Sequence, residues 1–126
     1  MRIYELLRTK GFHVITVRPS ATVLEVIELL KEYNLGAVVV SPDGREVSGI
    51  VTERDVVRRL VEGTDFLDGP VSAIMTRTPR TIAPDDLVAT ALEIQESSKI
   101  TALIVVEKDR PVGLVHYLDL LRAGAA

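Results

Sequence analysis

The sequence contains no cysteine, which removes disulfides, thiolate metal sites and cysteine nucleophiles together. Its two histidines, His13 and His116, stand far apart and at unrelated places, so no paired-histidine metal site is legible. There is no run of about 18 apolar residues that could span a bilayer, and no basic-then-apolar secretory leader. No phosphate-binding Walker loop or dinucleotide glycine fingerprint occurs. A nucleophile with its base, or paired carboxylates in one pocket, is not legible either. A net positive charge is also lacking: the formal net charge is −3 and the isoelectric point near 5.4, which argues against nucleic acid. The local pair Arg58-Arg59 reads as a solvated helix face. These absences predict a cytoplasmic protein that is not an enzyme, has no metal site, requires no cofactor and enters no membrane.

What is present is a repetition. Thr16-Val17-Arg18-Pro19 returns as Thr81-Ile82-Ala83-Pro84, and Leu35-Gly36-Ala37-Val38-Val39-Val40 returns as Ile100-Thr101-Ala102-Leu103-Ile104-Val105. Gly49-Ile50-Val51-Thr52-Glu53-Arg54-Asp55 answers to Gly113-Leu114-Val115-His116-Tyr117-Leu118-Asp119. Three matches in one order mark two copies of one unit. A half of about 60 residues buries too little surface to stand comfortably alone, so the copies are expected to share a core about a pseudo-two-fold axis. The boundaries read as 1–62 for the first copy with an introductory helix, 63–70 for a linker rich in breakers and acids, and 71–126 for the second copy.

Each copy reads as strand, helix, two strands, helix. In the first, Thr22 supplies a hydroxyl helix start, and Val23, Val26, Ile27 and Leu30 form one stripe. The helix ends near Asn34, and Ala37-Val38-Val39-Val40 is a buried strand. Ser41-Pro42-Asp43-Gly44 turns the chain back into a strand over 46–51. A second helix over 55–61 carries Val56, Val57, Leu60 and Val61 on one face. The second copy repeats this plan, with a helix from Pro84 to about Ser98, strands over 103–106 and 112–115, and a last helix over 118–122. Ile3-Tyr4-Glu5-Leu6-Leu7 and Val71-Ser72-Ala73-Ile74-Met75 each read as a short helix introducing its own copy. Helices apolar on two sides, with a mean hydropathy of +0.24, point to self-association as a homodimer.

The one stretch with chemistry is the strand-to-helix junction at Thr52 to Asp55. Helix N-termini present unpaired amides that attract phosphate. Thr52 adds a hydroxyl, Arg54 a forked cation, and Asp55 a carboxylate able to accept from both hydroxyls of a ribose. Two readings stay open on spacing alone: a nucleotide site, or a capping box in which Thr52 and Asp55 merely finish the helix.

This ordered set, present twice over essentially the whole chain, resembles a tandem pair of cystathionine-β-synthase (CBS) domains, the Bateman module. The resemblance implies an α/β (α+β) fold of two β-α-β-β-α repeats. It also implies a regulatory sensor that binds an adenine nucleotide or adenosyl ligand: AMP, ADP, ATP, NAD or S-adenosylmethionine. It places Asp55 on the ribose, Thr52 and Thr16 on ribose or phosphate, Arg54 on phosphate, and the backbone of Gly36, Ala37 and Val38 at the base. In the second copy the matching set is Thr81, Thr101, Ala102, Leu103, His116 and Asp119. There His116 replaces Thr52 and Leu118 replaces Arg54, so the ribose acid is kept and one cation lost. His116 is either a ligand donor or a structural residue at the last helix. The ending from His116 to Gly124 also resembles the tail of the CBS pair fused to arabinose-5-phosphate isomerases. Two further functions follow: an interaction module with vestigial sites, and a detached regulatory piece of such a sugar-phosphate isomerase.

Overall fold

The structure is a computed structural model that describes residues 1–125. In chain order its elements are α1 (Ile3–Lys10), β1 (Thr16–Val17), α2 (Val23–Glu32), β2 (Ala37–Val40), β3 (Gly49–Thr52), α3 (Glu53–Leu60), β4 (Thr76–Arg77), β5 (Thr81–Ile82), α4 (Val88–Ser98), β6 (Ala102–Glu107), β7 (Arg110–His116) and α5 (Tyr117–Ala125). Short 3-10 turns cover Asp65–Asp68 and Val71–Ala73. The chain divides into two compact units, one of residues 15–79, the other joining residues 1–14 to those from 80 onward. The units therefore differ from the sequence repeats by an exchange of leading segments.

In the unit of residues 15–79, the sheet runs in the order β1-β2-β3-β4, with β1 parallel to β2 and the other neighbours antiparallel. The Thr22 hydroxyl accepts the Glu25 amide at 3.1 Å while the Glu25 carboxylate accepts the Thr22 amide at 3.2 Å, a reciprocal cap that starts α2. The helix then lays Val26 and Leu30 on a core of Val17, Val38, Val40, Val51 and Val71. Ile27 is half-buried and Leu24 exposed. Strand β3 begins three residues later than the sequence predicts. Asp43 Oδ1 takes the amides of Arg45 and Glu46 at 2.8 and 2.9 Å, which commits those donors to the turn and withholds them from the ladder. These bonds hold the Asp43 carboxyl below its ordinary value.

Strand β4 was not legible in the sequence, where residues 71–75 read as a helix. A 3-10 turn at Val71–Ala73 delivers Thr76 opposite Ile50 and Arg77 opposite Gly49. Gly49 is needed there, because a Cβ would lie 2.7 Å from the Thr76 carbonyl oxygen and 2.8 Å from Met75 Sδ. The segment 63–70 is also docked: the Val23 amide donates to Gly69 O at 3.0 Å and the Val71 amide to Ala21 O at 2.7 Å.

The other unit holds a three-stranded sheet in the order β5-β6-β7, parallel then antiparallel. Its core joins Ile3, Leu6 and Leu7 of α1 to Ile82, Leu103, Val105, Val115 and Leu120. The introductory helix thus covers the second repeat, contrary to the expectation that it belongs to the first. Its start is fixed by the Ile3 amide on Asp86 O at 2.9 Å and the Tyr4 amide on Pro84 O at 3.0 Å. Those bonds, with the Ala83 amide on Asp86 Oδ2 at 2.8 Å, use residues 83–86 as a turn. Helix α4 accordingly starts at Val88, not at Pro84.

Of Val56, Val57, Leu60 and Val61, only Val56 is buried, while Val57 is 61% and Val61 89% exposed. No helix among the described residues is long and apolar enough to cross a membrane.

Candidate functional site

The Thr52 junction is built from the inner strands outward. Ala37 pairs with Thr52 across β2 and β3, and the Glu53 amide donates to Gly36 O at 3.0 Å, so Gly36 and Ala37 lie directly beside the start of α3. Strand β1 pairs only with Val39 and Val40, leaving the edge of β2 at Gly36–Val38 without a strand neighbour on that side. Main-chain donors and acceptors at such an edge suit the edge of a planar base. The side chains of Ala37 and Val38 are buried in the core, so these residues offer a ligand backbone only. Thr16, half-buried, pairs with Val39; it sits about 7 Å along the sheet from Ala37's level at two strand rises.

Thr52 and Asp55 form the capping box: the Thr52 amide donates to Asp55 Oδ2 at 2.8 Å, the Thr52 hydroxyl donates to the same oxygen at 3.0 Å, and the Asp55 amide donates to Thr52 Oγ1 at 3.2 Å. Among the described residues these bonds leave Asp55 Oδ1 without a partner. The capping and ligand readings are therefore compatible, since one carboxylate oxygen holds the helix while the other stays available to a hydroxyl donor. Arg54, one residue into the helix, is exposed and has no ion-pair partner among the described residues.

The second junction repeats the backbone and changes the side chains. Ala102 pairs with His116, and the Tyr117 amide donates to Thr101 O at 2.9 Å, the counterpart of the Glu53 bond. Strand β5 pairs with Ile104 and Val105, so residues 101–103 are again past its end. Leu103 is wholly buried, whereas Thr81 and Thr101 are exposed. The His116 amide donates to Asp119 Oδ2 at 2.9 Å, as Thr52's does to Asp55.

The difference is Lys10. Its ammonium lies 2.7 Å from Asp119 Oδ2 and 2.6 Å from Leu114 O. Partial burial pushes the Asp119 carboxyl up, but the hydrogen bond from Lys10, the His116 amide and the lysine charge outweigh it and hold the group below its ordinary value. Sequence reasoning missed Lys10 because 109 positions separate it from Asp119; only the exchange of α1 brings them together. Among the described residues, no cluster of three or more metal-ligating side chains occurs.

The family model of the CBS domain matches residues 4–62 and 71–126. The chain belongs to the CBS-domain family. The chain is similar to a CBS-domain containing protein from Agrobacterium tumefaciens, with a TM-score of 0.93 at 30% identity, over 98% of this chain and 99% of that one. It is also similar to a CBS domain protein from Pyrobaculum aerophilum complexed with AMP, with a TM-score of 0.86 at 28% identity over the whole of both chains. In sequence it is 34% identical over 124 residues to arabinose 5-phosphate isomerase KdsD of Yersinia pestis. That match takes in 98% of this CBS chain but 38% of the isomerase.

Proposed function

We propose that this CBS-domain chain is a non-catalytic regulatory module whose Thr52 junction binds an adenine nucleotide or adenosyl ligand. The observation that carries the reading is the uncommitted Oδ1 of Asp55 beside the open β2 edge at Gly36–Val38. Asp55 accepts from the ribose, the backbone of Gly36 to Val38 meets the base, and Thr52, Thr16 and Arg54 address ribose and phosphate. The AMP complex of the Pyrobaculum relative supports AMP as the first candidate, ahead of ADP, ATP, NAD and S-adenosylmethionine. In this reading the protein works in the cytoplasm as a homodimer. The exposed Val57, Leu60 and Val61, next to a groove of about 460 Å³ lined by Ile27, Leu30, Val56 and Leu60, support a second copy as the cover.

A melting series tests the nucleotide. Ligand at about one hundred times its dissociation constant adds about 2.7 kcal/mol to the folded state, a rise of several degrees. AMP is expected to stabilise more than adenosine or 2′-deoxy-AMP, each of which lacks one of the recognised groups. If none of these, nor ADP, ATP, NAD or S-adenosylmethionine, moves the transition at millimolar concentration, the nucleotide reading fails.

A second reading is favoured by the isomerase match: the chain acts as a detached regulatory piece for a sugar-phosphate isomerase. Co-purification with a separate isomerase domain supports it, and loss of that association on adding the nucleotide gives the direction of control.

A further inference from the structure

We propose that the groove between α1 and α5 binds a sugar phosphate. This site is separate from the Thr52 junction and does not depend on the nucleotide reading.

The groove has a volume of about 410 Å³, near the lower end of the range of about 300 to 1,000 Å³ for small-molecule pockets. On α1, Glu5 with Thr9 and Leu6 with Lys10 stand four residues apart, and on α5 Asp119 and Arg122 stand three apart. Such spacings place side chains on one helix face, so each helix turns one strip of polar groups to the groove. The lining comes wholly from Met1, α1 and α5, and the β6 edge at residues 101–103 takes no part in it. A planar base therefore finds no main-chain edge here.

The chemistry of the ligand follows from what the lining has left to offer. An ammonium carries three N–H donors, and Lys10 uses one on Leu114 O at 2.6 Å and one on Asp119 Oδ2 at 2.7 Å. One remains. Arg122 is exposed and has no ion-pair partner among the described residues, so its whole fork of donors is open. On the acceptor side, Asp119 takes both Lys10 and the His116 amide through Oδ2, which leaves Oδ1. Glu5 takes the Arg2 amide through Oε1, which leaves Oε2.

Two cations with donors to spare suit an anion, and two carboxylate oxygens without donors suit hydroxyl groups. A polyhydroxylated anion meets both needs. A phosphate monoester matches two cations better than a carboxylate does, since it brings a charge of about −1.5 to −2 and three acceptor oxygens. Leu6, packed in the core of that unit, gives the carbon skeleton an apolar floor.

Titration calorimetry at millimolar ligand tests this with arabinose 5-phosphate, ribose 5-phosphate and glucose 6-phosphate, against arabinose, gluconate and inorganic phosphate. The proteins are the wild-type chain, Arg122→Met, Arg122→Lys and Arg110→Met, the last at an exposed arginine of the same unit outside the groove. One equivalent per chain of at least one sugar phosphate is expected, with arabinose, gluconate and phosphate each at least about tenfold weaker. Arg122→Met is expected to weaken the sugar phosphate at least about tenfold. Arg122→Lys recovers part of that loss, and Arg110→Met leaves the affinity unchanged. The proposal is overturned if the wild type binds none of the three sugar phosphates, or if Arg122→Met binds them as the wild type does. Phosphate binding as tightly as the esters reduces the groove to an anion site and overturns the sugar, while gluconate binding as tightly overturns the phosphate. Should Arg122→Met lose the wild-type melting transition, Arg122→Gln carries the same expectation.

Discussion

Thr52 and Asp55 satisfy one another at the start of α3, each giving its amide to the other's side chain. The pair couples the fold of that helix to the proposed ribose contact, because the same carboxylate serves both.

Replacing Asp55 by alanine removes the carboxylate half of the capping box and the ligand acceptor together, while the bond from the residue-55 amide to Thr52 Oγ1 stays. The expected result is a stability loss of about 1 kcal/mol from the lost bonds to the carboxylate and at least about tenfold weaker AMP binding. Urea unfolding and calorimetry on the same sample separate the two. Unchanged affinity in the folded variant moves the ligand elsewhere.

Asp119 governs part of the acid limb of stability. Its folded value lies below the ordinary carboxylate value, which is about 3.9 for an unfolded aspartate. The folded state therefore binds that proton less readily, so the stabilisation is present above the unfolded value and is lost as pH falls through the folded one. Melting temperatures between pH 6 and pH 2.5 are expected to fall less steeply for Asp119→Asn below about pH 4 than for the wild type. Parallel curves contradict the pairing with Lys10.

Gln95 occupies the place in α4 that Leu30 occupies in α2, and it is 2% exposed, with no partner for Oε1 among the described residues. Its Nε2 reaches Val115 O only at 3.5 Å, a weak bond. Gln95→Leu is expected to stabilise the protein by about 1 kcal/mol, since a buried unsatisfied acceptor costs about 1–3 kcal/mol. The melting temperature then rises by about 4 °C. A fall shows that a buried water or partner already serves Oε1.

Gly49 and Gly113 are repeat counterparts, each pressed by a leading segment. A Cβ on Gly113 would lie 2.8 Å from the Leu7 methyls, and on Gly49 2.7 Å from a backbone oxygen. Overpacking of this kind costs about 1–3 kcal/mol. Gly49→Ala is expected to cost more than Gly113→Ala, because leucine can change rotamer and a paired strand carbonyl cannot. Equal denaturation midpoints contradict that ranking.

Helix α2 and the inner strands β2 and β6 were legible because their apolar patterns are uninterrupted, and α4, whose stripe Gln95 breaks, was legible because it repeats α2. The Thr52 to Asp55 junction was legible because its residues are local in sequence. The late start of β3 was not, since it depends on Asp43 taking two amides that hydropathy cannot see. The strand at Thr76–Arg77 was hidden by helix-like spacing in residues 71–75, which only pairing with β3 overrides. Lys10 was hidden by distance along the chain. Val57 and Val61 lie on the apolar face read for α3 and are exposed, because periodicity reports an apolar stripe without saying what covers it.

The exchange of leading segments sets an order on synthesis. Residues 15–79 are contiguous, so that unit is complete once its own last strand, β4, has emerged from the ribosome. The other unit must keep Ile3, Leu6 and Leu7 without their core until β6, β7 and α5 are made, a wait of seconds at about 5–20 residues per second. Helix α1 precedes the rest of its unit along the chain and is therefore buried only when that unit's last elements arrive. Within that unit it is the segment that a chaperone would meet for longest.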